Sequence, residues 1–105
     1  MTVATQSHID KVDFTEEGYI VDPEAWNPEV AEAIAEREGI QLSDRHWIVL
    51  NFAREVHADE GEAPTLRRIT LDTEVNTKEM YSLFPGGPGK LASMIAGLNK
   101  PTGCI

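Results

Sequence analysis

The sequence holds a single cysteine, Cys104, second from its C-terminal end. It lies in Asn99-Lys100-Pro101-Thr102-Gly103-Cys104-Ile105, where Pro101 and Gly103 both resist helix continuation, so an extended or flexible tail is predicted. Gly103 also removes side-chain bulk beside the thiol. A thiol on such an arm can enter a partner's active site, which a thiol locked in a core cannot do. The chemistry this suits is sulfur transfer: a thiolate attacks a donor persulfide, takes the outer sulfur and carries it as R–S–SH. An unperturbed thiol has a pKa of about 8.5, so only a few per cent is thiolate at neutral pH. Lys100 would lower that value and the Ile105 carboxylate would raise it, so activation is expected mainly from partners. A passenger thiol is the competing reading, because one cysteine alone is weak evidence.

Other polar residues offer less. Arg67 or Arg68 could stabilise a Cys104 thiolate or persulfide anion, or the Ile105 carboxylate, by charge-assisted hydrogen bonds; an ordinary surface salt bridge is the alternative for both. His8, His46 and His57 lack metal-ligand spacing with Cys104, and structural roles are expected for them. No metal site and no cofactor is expected. Gly86-Gly87-Pro88-Gly89 is not a phosphate loop, since no strand precedes it and the Lys-Ser/Thr pair is missing. Ser43 and Ser93 have no companion base at suitable spacing. Trp26, Trp47 and Phe52 read as core or cap positions rather than as a stacking platform.

The elements that must position the thiol are mostly helical. Val12-Asp13-Phe14 and Tyr19-Ile20-Val21 flank Thr15-Glu16-Glu17-Gly18, which predicts a small β-hairpin over 12–21. Asn27 and Pro28 form a cap-and-start pair for a helix that stops at Gly39. Ser43 caps a second helix, with Leu42 and Trp47 in the hydrophobic-staple positions. Val49, Phe52, Ala53 and Val56 recur at helical spacing, marking this as the central core helix, ending near 59–61. Short helices are predicted over Pro64–Leu71, with Leu66 and Ile69 inward, and over Thr77–Phe84, separated by a polar loop at 72–76. Pro85 to Pro88 interrupts the chain before a last helix, Gly89–Leu98, presenting Leu91, Met94, Ile95 and Leu98. Residues 1–11 carry little apolar content and are expected to fray. The result is one domain with a helical body over 27–98 and an arm over 99–105.

Bulk properties restrict the partners. At 105 residues and 41% hydrophobic content the chain supports one modest core and no large cofactor pocket. Its 18 acidic against 9 basic residues, a formal net charge of -9, disfavour direct contact with nucleic acid or an anionic membrane surface. The same charge suits protein partners with basic faces. With no membrane-spanning apolar run, no signal-peptide pattern at Met1–Asp10 and no possible internal disulfide, a cytoplasmic location is expected.

The stretch Tyr81-Ser82-Leu83-Phe84-Pro85-Gly86-Gly87-Pro88-Gly89-Lys90-Leu91-Ala92, continued through Ile95 to Ile105, resembles the C-terminal signature of the DsrC/TusE family of sulfur carriers. Weaker likeness extends upstream to Glu17-Gly18-Tyr19, His46-Trp47, and Ala63-Pro64 with Arg67. The resemblance implies a mainly α fold, a small orthogonal helical bundle with an N-terminal β-hairpin and a flexible C-terminal arm. It also implies that Cys104 accepts sulfur from a donor protein and passes it to an acceptor protein, as a protein cosubstrate rather than a stand-alone enzyme. Arg67, Lys100 and Gly103 then support the thiolate or the arm. Members that work with dissimilatory sulfite reductase carry a second cysteine eleven positions earlier, and Ser93 stands there. That departure points toward a single-cysteine, TusE-like carrier in tRNA 2-thiouridine synthesis. A segment between Arg68 and Tyr81 shorter than the family's leaves the partner open, and Asn99 in place of a usual proline is expected to loosen the arm. A DsrC-like carrier or accessory in dissimilatory sulfur metabolism, with a sulfite reductase as partner, is the alternative. Outside the carrier class stand a regulatory DNA-binding protein, which the acidity opposes, and an interaction module in which Cys104 is incidental.

Overall fold

Asn27 and Pro28 begin the first helix of the body, as their capping chemistry dictates. In the computed structural model, which describes residues 12–98, the Asn27 side chain accepts the Val30 N–H at 2.9 Å at the head of α1, Pro28–Arg37. The expectations placed on 1–11 and 99–105, including Cys104, Lys100 and Gly103, lie outside the described residues. Ser43 precedes α2, Asp44–Glu60, which closes on Gly61 in the left-handed conformation, φ 82°. Thr65 caps α3, Leu66–Asp72, by accepting the Arg68 N–H at 3.1 Å. Asn76 caps α4, Thr77–Leu83, by accepting the Glu79 N–H at 2.8 Å. Pro88 opens α5, Pro88–Ile95. No helix of the described residues is long and apolar enough to cross a membrane.

Helix α5 is the centre of the packing. It lies against α1, α2 and α4, while α3 bridges α2 and α4. A helix touched on several sides must be apolar around most of its girth, and Leu91, Ala92, Ser93, Met94 and Ile95 are all buried. The apolar ones join Val30 and Ile34 of α1, Val49 and Leu50 of α2, Ile69, Met80 and Phe84 in one core. Each such aliphatic side chain removed from water stabilises the fold by about 1.5–3 kcal/mol. The inward face expected of α2 is found, with Val49, Ala53 and Val56 buried and Phe52 partly buried against the core, but the centre of the packing is α5 rather than α2.

Three further expectations are corrected. The 12–21 hairpin reduces to one isolated antiparallel bridge, Phe14 with Ile20, and no β-strand forms among the described residues. The Thr15 N–H reaches the Tyr19 carbonyl at 2.7 Å and the Val21 N–H reaches Asp13 at 2.9 Å. A 3-10 turn at Pro23–Ala25 then draws the chain away before a ladder can extend. The segment 14–20 is tied to α1, where Arg37 Nη2 donates to the Gly18 carbonyl at 3.0 Å and the guanidinium lies 4.9 Å from the Phe14 ring centroid. Second, the 72–76 loop is not wholly polar, because Val75 is fully buried. Third, the last helix ends at Ile95, three residues before the expected Leu98.

Polar contacts on the surface tie the shorter helices down. Arg45 donates to both carboxylate oxygens of Glu79 at 2.7 Å, joining α2 to α4. The Arg45 hydrogen bonds hold the Glu79 carboxyl below its ordinary range, against a smaller opposing effect of burial. A carboxyl whose folded-state pKa is depressed stabilises the fold above its unfolded pKa, and that contribution is lost as pH falls through the folded value. Glu79→Gln is therefore expected to lower the thermal midpoint slightly at neutral pH and to lose that deficit in acid. A series of melts from neutral pH to acid checks this; a pH-independent deficit would contradict it.

Candidate functional site

The last described residues before 99–105, the segment that holds Cys104, are fixed at the end of α5. After α5 the Ala96 N–H still bonds Ala92 at 2.9 Å, the Gly97 N–H bonds Met94 at 3.2 Å, and the Leu98 N–H reaches Ser93 at 3.0 Å. Gly97 takes φ 76°, which turns the chain and seats Leu98 in the core at 2% exposure. A Cβ at Gly97 would collide with the Trp26 side chain, whose own Cβ would be 2.8 Å away. The chain thus leaves the body from a fixed position.

Two side chains from distant parts of the sequence hold that exit. Trp26 Nε1 donates to the Ile95 carbonyl at 2.8 Å. Arg54 of α2 donates to the Ala96 carbonyl at 2.7 Å, and its guanidinium lies 3.9 Å from the Trp26 ring centroid. Together they satisfy carbonyls that the end of α5 would otherwise leave without partners. Trp47 packs edge-on to Trp26 at 6.5 Å between ring centroids. Burial pushes the Arg54 pKa down from its ordinary value. Among the described residues it has no carboxylate partner, whereas Arg37, Arg45 and Arg68 all have one.

The residues singled out in the sequence fall in separate places. Arg68 is held by Glu60 at 2.9 Å and Asp72 at 2.6 Å, which is the surface salt bridge weighed for it above. Arg67 is exposed on α3 and makes no ion pair among the described residues. His46 is structural: its Nδ1 accepts the Ser43 backbone N–H at 3.0 Å. That bond leaves Nε2 to carry the proton and donate to the Leu83 carbonyl at 2.8 Å. Phe84 packs edge-on against the same ring at 5.1 Å. No group of three or more His, Cys, Asp or Glu that could hold a metal occurs among the described residues. Sequence reasoning missed Arg54. Its signal was a charged residue seven positions after Trp47 and four after Leu50, on the inward face of the core helix.

A family model described as "DsrC like protein" matches residues 6–105. The chain belongs to the DsrC-like family. The family expected from Tyr81 to Ile105 is the one found. Among its relatives, Sulfurtransferase TusE of Pectobacterium atrosepticum is 38% identical over 96 residues, covering 85% of this chain and 88% of that protein. The dissimilatory-type sulfite reductase subunit gamma of Nitratidesulfovibrio vulgaris is 41% identical over 91 residues, covering 86% of this chain and 87% of that protein. The solution structure of DsrC from Allochromatium vinosum superposes with a TM-score of 0.78 at 40% identity, covering 90% of each chain. In this DsrC-like chain Ser93 lies at 1% exposure on α5, with its hydroxyl donating to the Gly89 carbonyl at 3.0 Å.

Proposed function

We propose that this chain is a sulfur carrier that accepts and donates sulfur as a persulfide on Cys104, in a TusE-like relay serving tRNA 2-thiouridine synthesis. The observation that carries the reading is the place of the thiol. The one cysteine follows Leu98, the last described residue beyond the clamped end of α5, by six residues, within a family match that runs to residue 105. Six residues span up to about 20 Å when extended, enough to bring the sulfur into the active site of a docked partner.

The exchange is balanced without an external oxidant or reductant. The Cys104 thiol loses its proton, and the thiolate attacks the outer sulfur of a donor persulfide. A sulfur–sulfur bond forms at Cys104 as the donor's sulfur–sulfur bond breaks, and the donor thiolate takes up a proton. Handing the sulfur on reverses these roles at the acceptor. Ser93 is consistent with a single-thiol carrier, because a hydroxyl forms no disulfide with Cys104. Donor and acceptor proteins with basic faces suit the exposed Glu29, Glu32 and Glu36 of α1.

A second reading, a DsrC-like carrier or accessory in dissimilatory sulfur metabolism, draws on the gamma-subunit relative at 41% identity. Complementation separates the two. Expression of this chain in cells lacking their own TusE should restore 2-thiouridine in tRNA if the first reading is right. No restoration, with Cys104 still loaded by a persulfide donor in vitro, would move the assignment to the dissimilatory reading.

A further inference from the structure

Beyond α1 the chain is pinned by the helix it has just left. The Gly39 N–H returns to the Glu36 carbonyl at 3.0 Å and the Ile40 N–H to the Ala35 carbonyl at 2.8 Å. Held this way, 39–42 forms the floor of an open cleft. A cavity of about 450 Å³ is lined by Glu32, Glu36, Ile40, Gln41 and Leu42. A smaller one of about 180 Å³ shares Ile40 and Gln41 and runs to Leu83 and Pro85 at the end of α4. The two meet at Ile40 and Gln41, so a single trough crosses from α1 to α4 with apolar side chains along its floor. Its larger half is rimmed by Glu32 and Glu36, both exposed and one helical turn apart.

The rim and the floor together define the occupant. Glu32 and Glu36 repel each other at i, i+4, and neither forms an ion pair among the described residues, whereas Arg37, Arg45 and Arg68 are paired with other carboxylates. A cation seated there relieves the repulsion. Two carboxylates fall short of a metal site, and no group of three or more His, Cys, Asp or Glu that could hold a metal occurs among the described residues. A metal ion would also leave Ile40 and Leu42 uncovered. A Lys or Arg side chain on a protein meets both demands, because its stem lies on apolar surface while its head reaches the carboxylates. We propose that this trough is the docking surface for a basic segment of a protein that exchanges sulfur with Cys104. A Lys or Arg of that segment meets Glu32 and Glu36, and a neighbouring apolar side chain covers Ile40 and Leu42. A floor already fixed by the end of α1 lowers the ordering cost of docking. The inference rests on the carrier reading and adds the place on the body where a partner is recognised.

The test compares two sources of sulfur by intact mass: a persulfidated relay protein, which must dock, and glutathione persulfide, which need not. Glu32→Lys combined with Glu36→Lys should slow loading of Cys104 by the relay protein about tenfold at low salt, and by less at physiological salt. Gln41→Trp fills the junction of the two cavities without changing charge, and should slow the same step about tenfold at either salt concentration. Loading by glutathione persulfide should stay within about twofold of the wild type in every variant. Glu55 and Asp59 of α2 are exposed and lie outside the trough. Reversing both to Lys gives the same net charge as the first variant, and this control should slow the relay protein no more than about twofold. Every substituted residue is exposed, so all variants should melt near the wild type. A Gln41→Trp chain loaded at the wild-type rate, or a control as slow as the Glu32 and Glu36 reversal, would overturn the proposal. So would a wild type that glutathione persulfide loads and no relay protein does. Failure of the carrier reading is separately visible as a Cys104 that neither source loads.

Discussion

Replacing Gly97 by alanine is expected to lower the thermal midpoint of this chain by roughly 10–20 °C. Two costs combine. A non-glycine residue held at φ 76° costs about 1–2 kcal/mol, and a Cβ forced into a packed aromatic side chain costs about 1–3 kcal/mol more. Trp26 has little room to yield, since its indole N–H is bonded to Ile95 and Arg54 covers its ring. A total of about 2–5 kcal/mol translates into roughly that shift for a domain of about this size. The damage should not stop at stability. Moving Trp26 disturbs the carbonyl contacts at the end of α5, so sulfur transfer by Gly97→Ala should slow even at temperatures where the variant is folded. A melt within a few degrees of the wild type would show that the exit of the arm is softer than the clamp implies.

Replacing Cys104 by serine is expected to have the opposite profile: no change in the melt and complete loss of sulfur transfer. Serine is nearly isosteric with cysteine, and the replacement alters none of the side chains that build the core of α1, α2 and α5. The hydroxyl, however, forms no persulfide and is not ionised near neutral pH. Transfer assays with donor and acceptor present should fall to the level without carrier, and circular dichroism and thermal midpoint should match the wild type. Residual transfer above that level would mean that the chain acts by docking to the partners, with its thiol incidental.

The contrast between these two predictions reflects what can be read from a sequence. Caps and breakers act over a few residues, so Asn27-Pro28, Ser43, Gly61 and the Pro85 to Pro88 break placed the helices well. Cys104 was singled out for a different reason, as the one cysteine among neighbours that resist helix formation, and its role stands as a proposal. The hairpin failed because pairing over 12–21 depends on how far a ladder extends, and the 3-10 turn ends it after one bridge. The end of α5 was misplaced because Leu98 keeps the apolar spacing after Gly97 has already left the helix. The clamp was invisible because its contacts join residues 69 and 42 positions apart. Nothing local to Trp26 or Arg54 states that they meet, or that the carbonyls of Ile95 and Ala96 lie between them.

The central claim is that Cys104 carries sulfur, and intact-mass analysis tests it most directly. The chain would be incubated with cysteine, a cysteine desulfurase and candidate relay proteins, with Cys104→Ser treated alongside. The account predicts a gain of one sulfur atom in the wild type, removed by reductant and absent from the variant. A wild type that gains no sulfur from any donor, with its thiol shown free and reactive, would contradict it.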